Sequence, residues 1–381
     1  QAAVAQSDTE DYRPSRLDWL RPLYFETRLP WSETGLEYWL PPIRYNRTEG
    51  FVLGFEAPAL TADDWQRAKP VGQVGYAFAL GEWRVDAGVE ARPLQDVPTF
   101  AGTRVGVRYR LNTVSEDTWK VPSTENTLAA FVFRNDFFDY YEAQGWSIYL
   151  SQPLGRRVQV SVGYSSEDHR ALGNETSWSI FGDGPFRPNP LIDEGQVRSI
   201  NAALEAGVVR HLYARPRGSA VRVEFETAPE SFGGDLHYTR VTADARTYGR
   251  ITRHTTYAAR VRGAYTDEDA PIQKLFTLGG VGTVRGYPIN WMTADRMVLA
   301  NLEYGLSDVE LILENLDLFG FADAAWTSFE GEAGRDEEIL ASVGLGVGFA
   351  ERKVRLELAF PLQDAGFGME PSLWFRLYPQ F

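Results

Sequence analysis

Strict alternation of apolar and polar side chains is the feature of this sequence that most limits its fold. In WRVDAGVEAR (83–92), apolar side chains fall at every second position from Trp83 onwards, with charged residues or glycine between them. The same period of two recurs in RVGVRYRL (104–111), AVRVEFE (220–226) and VRLELAF (354–360). Successive side chains of a strand point to opposite faces, so this period predicts strands with one apolar and one polar face.

Such strands occur in water-soluble sandwiches or barrels and in membrane barrels. Two observations favour the membrane barrel. The polar faces carry arginine and glutamate at alternate positions, as in a hydrated lumen. The apolar faces carry aromatic residues near strand ends, where a membrane interface would hold them; examples are Trp83, Tyr109, Tyr304 and Trp326. The sequence has no run of about 18 apolar residues, so it predicts no transmembrane helix.

Composition narrows the possible partners and chemistry. The formal net charge is −14, from 38 Lys and Arg against 52 Asp and Glu, which argues against nucleic acid as a partner. The sequence contains no cysteine, which removes disulfides, thiolate nucleophiles and sulfur-ligated metals. An aromatic share of 13% together with 35 glycines is typical of β structure with aromatic belts.

Sixteen segments of strand length can be delimited, an even number as in single-chain bacterial barrels. They are residues 46–59, 71–81, 83–93, 103–114, 126–135, 143–152, 156–166, 195–208, 219–229, 235–247, 250–265, 296–305, 314–327, 338–349, 353–361 and 371–380. The long connectors 167–194 and 266–295 both follow odd-numbered segments, which places them at the outer end if the N-terminus is periplasmic. The prediction is an all-β, sixteen-stranded antiparallel transmembrane β-barrel over residues 46–381.

Residues 1–45 differ from the rest of the chain. They contain prolines at positions 14, 22, 30, 41 and 42 and show little alternation. This composition predicts an irregular N-terminal extension. Three roles stay open for it: a plug in the barrel, a cover over its periplasmic end, or a binding segment for a periplasmic or lipoprotein partner.

Motifs of enzymatic chemistry are missing from the sequence. In FTLGGVGTVRGYPIN (276–290), the glycines follow neither the dinucleotide fingerprint nor the phosphate-loop pattern. The histidines are not at metal-ligand spacing, and no G-x-S-x-G elbow occurs; they are His169, His211, His237 and His254. A serine paired with His237 or His254 across strands stays open, but a lumen or surface histidine is favoured.

The acidic loop YTDEDAP (265–271) offers a possible calcium site through Asp267, Glu268 and Asp269. Solvated loop carboxylates are the favoured interpretation. The sequence therefore predicts no enzyme, no metal and no cofactor.

The segment LGGVGTVRGY (278–287) resembles the Val-Arg-Gly-Phe/Tyr signature of the BamA/TamA superfamily, whose barrel is the bacterial surface antigen domain. The matching residues are Gly279, Gly280, Gly282, Val284, Arg285, Gly286 and Tyr287. Between predicted strands 11 and 12, this segment would be the sixth outer loop. In that family the loop folds into the lumen, where its arginine meets acidic residues on strands 12 and 13. The resemblance implies that Arg285 pins an inserted loop.

Both acids are available here. VLANLEYGL (298–306) resembles strand 12 of the family, and its alternation turns Glu303 inwards. FGFADAAW (319–326) resembles the Phe-x-Asp-x-Gly strand 13 and turns Asp323 inwards, with Ala325 in place of the motif's glycine. An arginine fork can bond two carboxylates at once in a partly desolvated lumen.

The two ends of the predicted barrel suggest a seam. SLWFRLYPQF (372–381) ends on Phe381, and an aromatic final residue resembles the recognition signal of outer-membrane barrels. Pro379 is tolerable at a strand margin, while Gly50 and Gly54 weaken the pairing of the first predicted strand. Residues 46–59 and 371–380 would then meet in a weak seam.

The resemblance implies an integral outer-membrane protein of a Gram-negative bacterium that assists insertion or translocation of other proteins. Its expected partners are outer-membrane lipid and client outer-membrane or secreted proteins. Relatives usually carry periplasmic POTRA domains, and 45 irregular residues cannot form one, so the expectation is either a fragment of a longer protein or a branch without these domains. The alternatives are a passive or gated pore and a structural subunit of an outer-membrane complex.

Overall fold

A computed structural model describes residues 43–56, 68–97, 99–155, 157–212, 215–311, 314–331, 334–349, 354–362 and 370–377. Sixteen strands form one antiparallel sheet in chain order, and two further strands form a separate hairpin. The large sheet comprises β1 (Arg44–Asn46), β2 (Gly50–Glu56), β3 (Ala68–Ala77), β4 (Glu82–Ala91), β5 (Arg104–Val114), β6 (Tyr141–Leu154), β7 (Val158–Ala171), β8 (Gly195–Leu212), β9 (Arg215–Ala228), β10 (Tyr238–Arg250), β11 (Thr255–Thr266), β14 (Arg296–Leu311), β15 (Glu314–Gly331), β16 (Gly334–Phe349), β17 (Val354–Pro361) and β18 (Ser372–Leu377). The hairpin strands are β12 (Phe276–Leu278) and β13 (Met292–Ala294), and the single α-helix among the described residues is α1 (Ser123–Phe133).

The two faces of the sheet reverse the arrangement of a water-soluble protein. Leu345 and Leu373 are each 68% exposed, whereas Glu303 and Asp323 are 1% and 2% exposed. Charged side chains are rarely buried and long apolar ones rarely exposed in rows unless the outer medium is lipid. The apolar face is therefore the outer one, and the charged face lines the interior. Within the described part of the chain, no helix has the length and apolar character needed to span a membrane.

Fifteen of the sixteen predicted segments coincide with strands, and the predicted strand at 126–135 is wrong. That region is α1, which begins after Pro122 and ends at Phe133; the next residue, Arg134, has a left-handed φ of 62°. The apolar run LAAFVF lacks alternation, and a short apolar run fits a buried helix as well as a strand. Leucine and alanine favour the helix, and Pro122 suits its start.

One strand that was not predicted, β1, lies at the start of the sheet, so the total stays at sixteen. β1 is a three-residue strand that pairs Tyr45 with Phe51 across the turn at 47–49. The first predicted strand is therefore the second strand of the sheet, and the first four predicted strands run opposite to the predicted direction. From β6 onwards, the two errors cancel and the predicted numbering holds.

Four connectors meet at one end of the sheet because neighbouring strands alternate in direction. These connectors are 115–140, 172–194, 229–237 and 267–295, and the turn at 47–49 lies at the same end. Their side chains contact one another: Arg47 Nη1 donates to the carbonyl oxygen of Phe138 at 2.6 Å, and Arg187 Nε donates to that of Asp136 at 2.9 Å. The site described below begins in this cluster of connectors.

The sheet ends at β1 and β18, and these two edge strands form no pairing with each other among the described residues. The proposed extension at 1–45 lies outside the described residues except for residues 43–45, of which Arg44 and Tyr45 belong to β1. Pro379 and Phe381 also lie outside them. The division of the chain at residue 45 stays a prediction.

Candidate functional site at the inserted loop

The loop between Thr266 and Arg296 turns inwards from the connector end. β12 and β13 form its stem, pairing Phe276 with Ala294 and Leu278 with Met292. Every residue from 278 to 287 is buried. Internal bonds fix the tip: the Thr283 hydroxyl accepts the backbone N–H of Gly279 at 2.8 Å, and Gly280 N donates to the Val284 carbonyl at 3.2 Å.

Glycine is required at position 282, where the tip of the inserted loop passes the connector 115–140. Its φ is +78°, and a Cβ built there would lie 2.2 Å from the carbonyl oxygen of Lys120. Glycine alone combines a left-handed backbone with this approach without strain. The glycine-rich motif therefore serves a close passage between two loops.

Arg285 projects from this tip into a ring of carboxylates. Its Nε and Nη2 donate to the two oxygens of Asp323 at 2.8 Å each, and its backbone N–H donates to Asp323 Oδ2 at 3.1 Å. Its Nη1 donates to Glu303 at 2.8 Å and to Glu357 at 3.2 Å. The guanidinium carbon also lies 3.5 Å from the centre of the Phe321 ring. Such bidentate, charge-assisted bonds are among the strongest that a protein makes.

Glu357 is a third acid that the sequence analysis did not assign to Arg285. It lies on β17, and Arg355 joins it to Glu303: Arg355 Nη1 is 3.1 Å from Glu303 Oε2 and 3.4 Å from Glu357 Oε1. Arg376 of β18 lies 3.7 Å from the same Glu357 oxygen. Alternation in 354–360 placed Glu357 on the inner face, but the motif pointed only to strands 12 and 13.

The inserted loop also bonds directly to the last strand. Trp374 of β18 donates its indole N–H to the carbonyl oxygen of Arg285 at 2.8 Å. Asn301 donates to the carbonyl of Thr283 at 2.7 Å and to Asp323 at 2.9 Å. The site thus links the loop to strands β14, β15, β17 and β18.

The base of the loop is held by a second cluster of charges, which lie on the connectors and on β10. Lys120 Nζ donates to Asn290 Oδ1 at 2.7 Å, and its burial lowers the pKa of its ammonium group. Lys274 and Arg240 donate to the two oxygens of Glu116 at 2.7 and 2.6 Å. Burial alone would raise the pKa of Glu116, but these two cations together lower it well below its usual value.

The other predicted site residues are dispersed. Gly50 and Gly54 lie on β2, where a Cβ at Gly54 would lie 2.1 Å from the carbonyl oxygen of Val74. Asp267 accepts the backbone N–H of Thr239 at 2.6 Å, and His237 Nε2 lies 2.9 Å from the carbonyl oxygen of Gly234. Among the described residues, no three or more His, Asp or Glu side chains are arranged to hold a metal ion.

Sixteen antiparallel strands, an apolar outer face, a charged inner face and a loop folded inwards define a class of protein: the integral outer-membrane β-barrels. The model of the Omp85 superfamily domain matches residues 98–367, and this chain belongs to that superfamily. It is accordingly an integral outer-membrane protein of Gram-negative bacteria.

A solved structure shares this fold. BamA from Haemophilus ducreyi, in a crystal structure lacking POTRA domains 1–3, is 15% identical with a TM-score of 0.57. That comparison covers 88% of this chain and 68% of that one. CdiB from Escherichia coli is 13% identical with a TM-score of 0.49, over 87% of this chain and 60% of that one. A comparison with curated protein sequences gives no match.

Asp323 and Glu303 are expected to contribute unequally to the free energy of unfolding. Asp323 accepts three bonds from Arg285 and one from Asn301, whereas Glu303 shares its bonds between Arg285 and Arg355. In Asp323→Asn an amide N–H₂ would face these donors. We expect it to lower the free energy of unfolding by about 3 kcal/mol, and Glu303→Gln by about half as much. Urea unfolding in detergent, followed by tryptophan fluorescence, measures both; equal losses would contradict the unequal sharing.

Proposed function

We propose that this protein assists the insertion of other proteins into the outer membrane, or their translocation across it, through a seam between β1 and β18. The observation that carries this proposal is the pair of edge strands. β15 and β16 pair continuously from Asp317 to Gly331, whereas β1 has three residues, β18 has six, and the two do not pair among the described residues. An unpaired edge exposes backbone N–H and C=O groups that can template an incoming strand.

The inserted loop has a supporting role in this proposal. Arg285 ties the loop to β14, β15 and β17 through Glu303, Asp323 and Glu357, and its carbonyl oxygen accepts the bond from Trp374 on β18. Because these bonds hold β14, β15 and β17 together from the interior, β1 and β18 can separate while the other strands keep their register. The pinned loop would therefore preserve the shape of the barrel while the seam opens.

The clients we propose are outer-membrane or secreted proteins, with membrane lipid at the outer face. A partner that binds residues 1–45 stays a prediction. We infer no enzymatic role. A passive pore is the less favoured candidate, because the connector 115–140 and the inserted loop bond to each other across the interior through Lys120 and Asn290.

Locking the seam tests this function. Cysteines replace Phe51 on β2 and Phe375 on β18, two exposed apolar residues of the outer face. A series of bismaleimides of graded length that contain a reducible disulfide then joins them in cells that depend on this protein. We expect the crosslink to stop the assembly of client proteins and to arrest growth, with recovery after reduction, because the edges can no longer separate.

The matched control joins Leu302→Cys to Ala322→Cys, which are paired neighbours on β14 and β15 away from the seam. This crosslink should leave client levels unchanged. Normal levels of every client in the seam-locked protein would overturn the proposed function and leave a pore or a docking subunit, which single-channel conductance and co-purification would then separate.

A further inference from the structure

Helix α1 lies between the two edge strands. On one side, Phe131 contacts Tyr45 of β1 and Phe51 of β2, with ring centres 5.4 and 5.1 Å apart. On the other side, Phe133 contacts Phe375 of β18 with ring centres 5.4 Å apart. The helix therefore fills the wall where a barrel would otherwise join its first and last strands.

The contacts of α1 with both edges are made by side chains. Among the described residues, no backbone–backbone hydrogen bond joins the helix to β1 or β18. The backbone N–H of Tyr45 donates instead to the side chain of Thr127 at 3.4 Å. A helix has no free row of N–H and C=O groups along its length, so it covers a strand edge without satisfying it.

The side of α1 towards β1 is the more strongly joined. Arg47, in the turn after β1, lies 3.3 Å from Asp136, just beyond the helix, and both side chains are fully buried. The connector 172–194 holds both partners: Glu175 N donates to the carbonyl of Arg47 at 2.9 Å, and Ile180 N donates to that of Phe131 at 2.9 Å. β1, its turn, this connector and α1 thus form one bonded unit.

Fewer contacts hold α1 to β18. Arg376 donates to both oxygens of Glu125, through Nε at 2.9 Å and Nη2 at 3.2 Å. Phe133 contacts Phe375, and Phe137, beyond the helix, contacts Trp374 with ring centres 6.1 Å apart. Trp374 and Arg376 are meanwhile held from the other side, by the carbonyl of Arg285 and by Glu357. β18 is therefore bonded to the inserted loop through Trp374 and lies beside Glu357 of β17 through Arg376, and the ion pair between Arg376 and Glu125 must break for β18 to part from the helix.

We propose that α1 is a movable wedge that stays with β1 and parts from β18, uncovering the edge of β18 as the binding site for an extended client segment. This inference rests on the proposed function and names the substrate of the seam. The uncovered edge has six residues, Ser372–Leu377, twice the length of β1, so it offers more backbone groups to a partner strand.

The chemistry of the occupant follows from what α1 presents to β18. Leu373 and Phe375 face outwards and are exposed, whereas Trp374 and Arg376 face inwards and are buried. A matching strand carries apolar or aromatic residues at its outward positions. At the inward position beside Arg376 it carries a carboxylate, which takes the place of Glu125. The substrate class is thus an amphipathic strand with an inward acid.

Crosslinks on the two sides of the helix test which contact must break. Phe133→Cys with Phe375→Cys joins α1 to β18, and Phe131→Cys with Phe51→Cys joins α1 to β2, the neighbour of β1. Both pairs are closed with the same short reducible bismaleimide, and each uncrosslinked double variant is its own baseline. We expect the first crosslink to lower client assembly at least tenfold and the second to leave it within twofold of its baseline.

The outcomes separate the wedge from the function itself. If the lock between Phe51 and Phe375 stops client assembly but the α1–β18 crosslink does not, the wedge is overturned while the function stands. If the α1–β2 crosslink stops client assembly, whether or not the α1–β18 crosslink also does, the moving contact is not the one between α1 and β18. If the lock between Phe51 and Phe375 has no effect, the proposed function fails first.

Peptide capture tests the occupant independently. The probe is a ten-residue peptide of alternating leucine and polar residues with one inward glutamate, and a photoreactive residue replaces Leu373. We expect Glu125→Gln to increase capture several-fold, and replacement of the peptide's glutamate by glutamine to reduce it. Glu142→Gln, which removes another buried carboxylate paired with an arginine, is the control and should change nothing. Equal capture by all these variants would overturn the acidic strand as the occupant.

Discussion

Arg285→Ala is expected to destabilise the barrel by about 3–5 kcal/mol, because it leaves three buried carboxylates facing one another without their shared cation. Asp323, Glu303 and Glu357 all accept bonds from this guanidinium, and Arg285 is 2% exposed. The loop should leave the interior, since its backbone N–H and carbonyl bonds to Asp323 and Trp374 depend on the same placement. Urea unfolding measures the energy, and protease cleavage within 279–291 reports the release of the loop.

Two further variants test whether the effect comes from the planar guanidinium and from its burial. Arg285→Lys keeps the charge but loses the planar fork that reaches Asp323 through two nitrogens, so an intermediate loss is expected. Arg170→Ala is the control, because its side chain is 60% exposed and lies 3.8 Å from Glu142; an exposed pair contributes about 1 kcal/mol or less. A loss at Arg285 no larger than that at Arg170 would mean that the loop is held without its arginine.

Gly282→Ala is expected to destabilise the barrel by about 3 kcal/mol. About 1–2 kcal/mol comes from holding a side chain at positive φ. The remainder comes from displacing the carbonyl of Lys120, which would lie 2.2 Å from the new Cβ. The displacement should also separate Lys120 from Asn290 and expose the base of the loop to protease.

Gly155→Ala separates the two causes. Its φ of +73° nearly equals the +78° of Gly282, but a Cβ there would meet nothing within 4 Å. It should show only the cost of the backbone conformation, about 1–2 kcal/mol. Urea unfolding of both variants gives the cost of the close approach as their difference. A difference near zero would show that the loop tip can shift away from Lys120 freely.

Much of the fold is predictable because alternation is a local property. Each strand from β6 to β11 shows its period of two within about ten residues, so it can be delimited without its neighbours. The same rule failed at α1, where LAAFVF has no period, and at β1, which is too short to show one. The predicted number of strands was therefore correct only because one false strand, at 126–135, and one missed strand, β1, cancel.

The site was predictable in part. The motif around Arg285 and the inward positions of Glu303 and Asp323 are all readable from short segments, and the structure brings these three residues together. Glu357 and Trp374 are 72 and 89 residues from Arg285 in the chain. Their alternation gives a face but not a partner, because the partner depends on how far the loop reaches across the interior.

The sequence by itself determined that strands would form, which face of each would meet lipid, and which arginine would enter the interior. The strands and their faces follow from the pleat, whereas the inward arginine follows from the resemblance of residues 278–287 to the family motif. Only the tertiary structure decided that α1 lies between β1 and β18, and that Arg376 meets Glu125 from 251 residues away. The physical reason is that contacts between the two ends of the sheet depend on the arrangement of all the strands between them, which no short segment of sequence specifies.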